Sequence, residues 1–328
     1  MDLIAFEDFK PGEIRRYGQY QMTAEEIVDF ATQFDPQPFH LSQEAGRKSI
    51  LGGLSASGWH TCSALIRMGV DDWITQSTCI AGMGIEENRW LAPVRPGDVL
   101  TAEMTTVAKS DISSRPEAGV VKFATILRDQ TGREVLTQKA TTLFGRREPL
   151  AERPPSGPRK AHEPEPERID DAEAALPDYY EKVRVGAFAD LGVTHFTADI
   201  IQLYAEKYDP LPFHMDEEVG RAHPLGALSA AGFHTASCWM GHFIAARRAS
   251  ARGGILPDRA SPGFTDMVWR RAVLVGDRIS YSTQVMSKRL TSKPGMGVVR
   301  SRNRGVNQRG EVVMEFYASV FSPVGEET

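Results

Sequence analysis

Two acidic residues are each followed five positions later by a histidine, across a stretch broken twice by proline: Asp35 and His40 in FDPQPFH, and Asp209 and His214 in YDPLPFH. A carboxylate and an imidazole held over one water can take a proton from it and deliver another, which is general acid–base catalysis. On a continuous helix, residues five apart would point in different directions. Pro36 and Pro38, with Pro210 and Pro212 in the second stretch, exclude that helix, because a residue before proline is driven out of the helical region. A stiff corner is therefore expected to aim both side chains at one point. Each corner leads into a glycine-containing entry to an apolar run, GGLSASGWHT from Gly52 and GALSAAGFHT from Gly226. The apolar run predicts a long helix from Gly53 to about Trp73, and another from about Ala227 to Arg247. A backbone N–H at a helix start lacks an intrahelical acceptor and sits at the positive end of the helix dipole, so it suits negative charge developing on a carbonyl oxygen. Gly53 has no side chain to obstruct that approach, and Ala227 occupies the equivalent place.

Positioning these residues requires a unit that the chain carries twice. Phe34–Thr61 and Tyr208–Thr235 superimpose without a gap, so that His60 matches His234 and Gly58 matches Gly232. The repeat extends outward: RWLAPVRPGD from Arg89 pairs with VWRRAVLVGD from Val268, and TGREV from Thr131 with RGEVV from Arg309. In each copy a short strand precedes a helix; in the first copy Thr23 can cap that helix and Glu26 can close a capping box. A short helix near Ser42 to Lys48, the long apolar helix and about four strands follow. Two domains are expected, residues 1–147 and 172–328. Between them 148–171, rich in proline and charge, cannot supply a core and reads as an extended linker of roughly 20 to 25 residues, about 3.1 Å each.

The bulk composition narrows the classes. With 41% hydrophobic and 25% charged residues the 328-residue chain is ordinary for a globular protein. A net charge of −5 gives no basic footprint for nucleic acid, and no apolar run is long enough to span a membrane. Cys62, Cys79 and Cys238 have neither metal-ligand spacing nor an even count, and read as buried hydrophobes in a reducing compartment. The start, MDLIAFEDFKPGEIRR, is unlike a signal peptide, so a cytoplasmic location is expected.

The two corners, the glycine entries and RWLAPVRPGD together make the chain similar to the MaoC-like (R)-specific enoyl-CoA hydratase/dehydratase family, in a tandem form that covers all but the linker. The resemblance implies an α+β fold of two hotdog domains, each an antiparallel sheet wrapped around a long central helix, paired as a pseudo-two-fold double hotdog. It implies reversible hydration of a trans-2-enoyl-CoA to the (R)-3-hydroxyacyl-CoA, or dehydration of a β-hydroxyacyl-CoA such as a branched dicarboxylic one. Asp35 and His40 would be the acid/base pair and the Gly53 N–H the oxyanion donor; by position the second site offers Asp209, His214 and Ala227. Gln37, Gly52 and Gly226 are expected against the substrate. The family usually carries a polar residue, typically Asn, between acid and histidine. Gln37 can still hydrogen-bond there and Leu211 cannot, and Ala227 adds a methyl group, so the first site is expected to be the stronger. No metal or organic cofactor is implied beyond the coenzyme A of the substrate, and a sheet edge left free would suit a homodimer. Two other classes remain open on the residues: a hotdog thioesterase, against which the Asp–His pair argues, and a non-catalytic acyl-CoA binder, which fits the second half better than the first. His60 and His234, about two turns into the long helices, read as buried hydrogen-bonded histidines, and Trp59, Trp90 and Trp269 as core or interface aromatics.

Overall fold

Thr23 caps the first helix of the chain, its side-chain oxygen accepting from the Glu26 N–H at 3.1 Å. The helix, α1 (Ala24–Phe34), buries Ile27, Phe30 and Ala31 on one face. Glu26 does not close a capping box; its carboxylate accepts from the Tyr20 hydroxyl and lies 3.4 Å from His60 Nε2. The structure, a computed structural model, describes residues 3–112, 115–151, 165–176, 179–250 and 260–325. Most of the expected linker, 152–164, lies outside the described residues.

In the first half, β1 (Ile14–Gln21) and α1 precede two short helices, α2 (Pro38–Leu41) and α3 (Gln43–Lys48); the central helix α4 (Gly58–Asp72) and strands β2 (Cys79–Trp90), β3 (Val99–Asp111), β4 (Ala118–Arg128) and β5 (Glu134–Gly145) follow. Two residues of the expected linker, β6 (Ile169–Asp170), instead pair in parallel with β7 (Ala187–His195), and α5 (Ala172–Ala175) lies between them. The second half then repeats the first with α6 (Ala198–Tyr208), α7 (Pro212–Met215), α8 (Glu217–Ala222), α9 (Gly232–Ser250), β8 (Gly263–Trp269), β9 (Arg278–Leu290), β10 (Met296–Val306) and β11 (Val312–Pro323).

All strands belong to one sheet in the order β1-β3-β4-β5-β2-β8-β11-β10-β9-β7-β6. Apart from the short β6, the right half of that order is the mirror of the left, each strand paired with its counterpart in the repeat. This is a double hotdog, with α4 and α9 as the two central helices. The seam is the antiparallel pair β2–β8, where Gly84 faces Val268 and Arg89 faces Gly263. One apolar core crosses it. Trp59 of α4 stacks on Phe264 of β8 at 5.0 Å between ring centroids and meets Trp239 of α9 edge-on at 6.3 Å. Burying large aromatic surface is the main driving force available to such a seam, so the two halves share their hydrophobic interior.

The central helices begin later than the apolar runs predict. Ser57 caps α4 through the Trp59 N–H at 3.2 Å, and the five residues before Gly58 are non-helical. Gly58 is needed there because Trp90 lies flat against it: a Cβ would overlap the indole, whose Nε1–H donates to the Gly58 carbonyl at 3.0 Å. Gly232 and Trp269 repeat the arrangement at 3.1 Å. Gly53 and Ala227 therefore do not start helices. Arg95 pins the non-helical segment by donating to the carbonyls of Gly53 (2.6 Å), Leu54 (3.1 Å) and Leu51. Gly52 and Gly226 sit at positive φ, +71° and +83°, as turn glycines.

Candidate active site

The chain leaves α1 at Phe34, and Asp35 takes non-helical angles (φ −151°, ψ 64°) before Pro36. Pro38 then occupies the first turn of α2, where its missing N–H costs nothing. His40 rides on that single turn, and its Nε2 comes to 3.5 Å from Asp35 Oδ2. Both residues are buried. His40 Nδ1–H donates to the Ser55 carbonyl at 2.6 Å; a carbonyl can only accept, so Nδ1 carries a proton, and in the neutral ring Nε2 presents a lone pair. The carboxylate is held from both sides, Ser57 Oγ–H donating to Oδ2 at 2.6 Å and Gln37 Nε2–H to Oδ1 at 2.9 Å. Asp35 Oδ2 and His40 Nε2 are thus two acceptors facing one another across a gap too long for a direct hydrogen bond. The pair is arranged to accept two hydrogen bonds from one molecule.

The second corner keeps the frame and loses the support. His214 Nδ1–H donates to the Ser229 carbonyl at 2.6 Å, and Nε2 lies 3.7 Å from Asp209 Oδ2. Leu211 stands where Gln37 was and Ala231 where Ser57 was. Asp209 Oδ1 has no hydrogen-bond partner among the described residues. Burial without donors pushes the Asp209 carboxyl up to about 7 and, in the same pocket, pulls His214 down to about 4.

Each pair opens into a cavity walled by the other half's central helix. The first, about 280 Å³, is lined by Asp35, Gln37 and His40 together with Trp239, Phe243 and Ile244 of α9. The second, about 310 Å³, is lined by Asp209, Leu211 and His214 together with Ile66 and Val70 of α4. Gln37 thus lines the first cavity and orients Asp35. Gly52, Gly53, Gly226 and Ala227 are absent from both linings; Gly52 and Gly226 serve the turns. Gly53 is nevertheless buried, and its N–H makes no hydrogen bond among the described residues. Sequence reasoning missed Ser57, although SAS against SAA within otherwise matching strings was a visible signal. His60 is fully buried, stacked on Phe30 at 4.7 Å, and takes no place in either cavity. No group of three or more His, Cys, Asp or Glu among the described residues could hold a metal.

With this geometry in view, comparison with known proteins places the chain. The family described as MaoC like domain matches residues 8–125. A MaoC-like dehydratase from Rhodospirillum rubrum is 38% identical, covering 45% of this chain and 99% of that one, with a TM-score of 0.42. The chain belongs to the MaoC-like dehydratase family. Mesaconyl-CoA hydratase of Cereibacter sphaeroides is 26% identical over 237 residues, 68% of this MaoC-like chain and 66% of the relative. The crystal structure of a MaoC domain dehydratase from Chloroflexus aurantiacus superimposes over 98% of this chain and 97% of its own at a TM-score of 0.78 and 17% identity, which supports the tandem fold. Among the described residues no helix is long and apolar enough to cross a membrane.

Proposed function

We propose that this MaoC-like protein hydrates a trans-2-enoyl-CoA reversibly to the (R)-3-hydroxyacyl-CoA, and that the Asp35–His40 site carries the reaction. The observation behind this is the pair of buried acceptors at 3.5 Å, each held in one orientation by its own partners. A water bound between them donates one hydrogen to His40 Nε2 and the other to Asp35. As its oxygen bonds to the β-carbon of the conjugated thioester, one proton passes to the pair and the α-carbon takes a proton from it. Water is added across the double bond and the pair ends as it began. Negative charge gathers on the thioester oxygen in the transition state and needs a donor. We assign this to the Gly53 N–H, not as a helix end but as a buried residue's donor with no acceptor in the chain; such groups are scarce in folded proteins. The relative named mesaconyl-CoA hydratase supports an acyl-CoA substrate.

The test is an assay with short and medium trans-2-enoyl-CoAs that follows the conjugated-thioester absorbance and free thiol together. Loss of absorbance without thiol is the expected outcome. Thiol release would make the protein a thioesterase, and absence of any change across the series would leave it a binder.

A further inference from the structure

The second cavity holds the same two side-chain types as the first, but with a different hydrogen-bonding sense. Asp209 and His214 both line it. Burial pulls His214 down to about 4, so the ring is neutral near neutral pH. With Nδ1–H given to the Ser229 carbonyl, its Nε2 offers a lone pair. Asp209 differs more from its counterpart. Its Oδ1 is buried without a hydrogen-bond partner among the described residues, and Leu211 and Ala231 replace the two donors that hold Asp35. A carboxylate charge is costly in such surroundings, whereas a neutral carboxyl carries an O–H of its own. The first pair therefore presents two acceptors, and the second presents one donor and one acceptor.

These two sets suit different molecules. Water has two O–H donors and satisfies two acceptors at once. Between a donor and an acceptor it leaves one O–H facing apolar walls such as Ile66, Val70 and Phe233, and an unpaired buried donor costs about 1–3 kcal/mol. An alcohol has a single O–H, which can donate to His214 Nε2 while its oxygen accepts from Asp209. We propose that the second cavity binds a 3-hydroxyacyl thioester through its hydroxyl and does not activate water, so that one half forms this compound and the other holds it. This rests on the acyl-thioester reading of the first site given above.

The groups around Asp209 make the proposal testable by pH. Burial lowers His214, His223 and His234, raises Cys79 to about 12 and raises Tyr204 well above its ordinary value. The guanidinium groups of Arg270 and Arg271 on the same lining do not deprotonate in proteins. Between about pH 6 and 8.5 the main change at this pair is therefore ionisation of Asp209, which burial has pushed up to about 7. Calorimetry would use the full chain carrying Asp35→Ala, which silences the first pair without giving it a donor. At one site per chain and about pH 6, (R)-3-hydroxybutyryl-CoA should bind about tenfold more tightly than butyryl-CoA, which lacks only the hydroxyl. That ratio should shrink at about pH 8.5, where a single O–H faces two acceptors. Adding Asp209→Asn keeps an N–H donor beside His214 and should hold the ratio constant over the same range; Asp209→Leu should bring it to within about twofold of one throughout. Equal affinities at pH 6, a ratio that does not shrink with pH while Asp209 is present, or a preference that survives Asp209→Leu would each overturn the proposal. Binding of neither thioester would overturn the acyl-thioester reading with it, whereas binding of both without preference leaves that reading intact and removes this one alone.

Discussion

The Asp35 and Asp209 corners share a backbone, a proline pattern and a histidine fixed by a serine carbonyl, yet they hold their carboxylates differently. Asp35 receives hydrogen bonds from Ser57 and Gln37. Asp209 faces Leu211 and Ala231 at those places and keeps its proton up to about pH 7. A protonated carboxyl can donate to a water but is a poor acceptor from it, so below pH 7 the second pair has one acceptor where the first has two. The comparison teaches that an acid/base pair is specified by four residues rather than two. Two of the four donate hydrogen bonds to the carboxylate, and the repeat has varied those while keeping the pair itself.

The most direct way to break the comparison is to remove each acid. Asp35→Asn should lower kcat/KM on the best enoyl-CoA at pH 7 by about 10²- to 10⁴-fold, the range expected for a lost general acid–base group. Asp209→Asn should change it by less than about threefold. Initial rates of the two variants and their double would show the reverse ranking if the second corner does the work.

Stability should respond in the opposite sense. The folded-state value of Asp209, about 7, lies above the ordinary aspartate value of 3.8, so between those values the folded chain binds more protons than the unfolded one. The stability contributed by the neutral carboxyl is complete below pH 4 and is lost as the pH rises toward 7. An asparagine stays neutral throughout. Asp209→Asn should therefore match the wild type near pH 4 and exceed it by a few kcal/mol at pH 8. The low values of His214, about 4, and His234, about 3, give the wild type a slope of the other sign between about pH 4 and 6.5. The variant-minus-wild-type difference in denaturant unfolding isolates the aspartate; a difference that is flat with pH would show that Asp209 is ionised when folded.

Exchanging the supports is a smaller perturbation. Ser57→Ala with Gln37→Leu gives Asp35 the surroundings of Asp209, removing two donors to a charged group. Each is worth about 1.5–3 kcal/mol, part of which water recovers. We expect kcat/KM to fall about 10- to 100-fold at pH 7, with the loss shrinking as the pH rises. A uniform loss at every pH would mean that the two residues position substrate instead.

Much of this contrast could be read from the residues, and what could not has a physical reason. The proline corner announced itself because Pro36 and Pro38 act locally, on the chain that carries them. The two-unit organisation followed from the repeat, since two matching copies fold alike, whereas the hotdog form of each unit came with the family resemblance. The helix starts were misjudged by five residues because apolar content marks burial, not helix: Gly53 to Ser57 are buried yet non-helical. Gly58 is fixed by Trp90, a contact made across the fold that no local pattern encodes. Gly52 and Gly226 looked like substrate contacts and are turn residues with positive φ. The walls supplied by α9 and α4 to the opposite cavities were invisible for the same reason. Ser57 was different: its partner Ala231 breaks the repeat at one position, and only its meaning required coordinates.

The converse graft asks whether support alone separates the sites. Leu211→Gln and Ala231→Ser would offer Asp209 the two donors it lacks, and donors to the charged form lower a carboxyl's proton affinity. In an Asp35→Asn background, where the first site is silent, turnover at pH 7 should rise about tenfold over the single variant. The gain should be limited because His214 Nε2 still stands 3.7 Å from the carboxylate and because Ala227 keeps a methyl group in the place of Gly53. Rate against pH is the decisive measurement: restored ionisation moves the rise in activity to lower pH, whereas a change in packing alone raises or lowers the whole curve. If the curve does not move, the difference between the corners lies in access to the cavity, and the hydrogen bonds on Asp35 are a consequence of its activity rather than its cause.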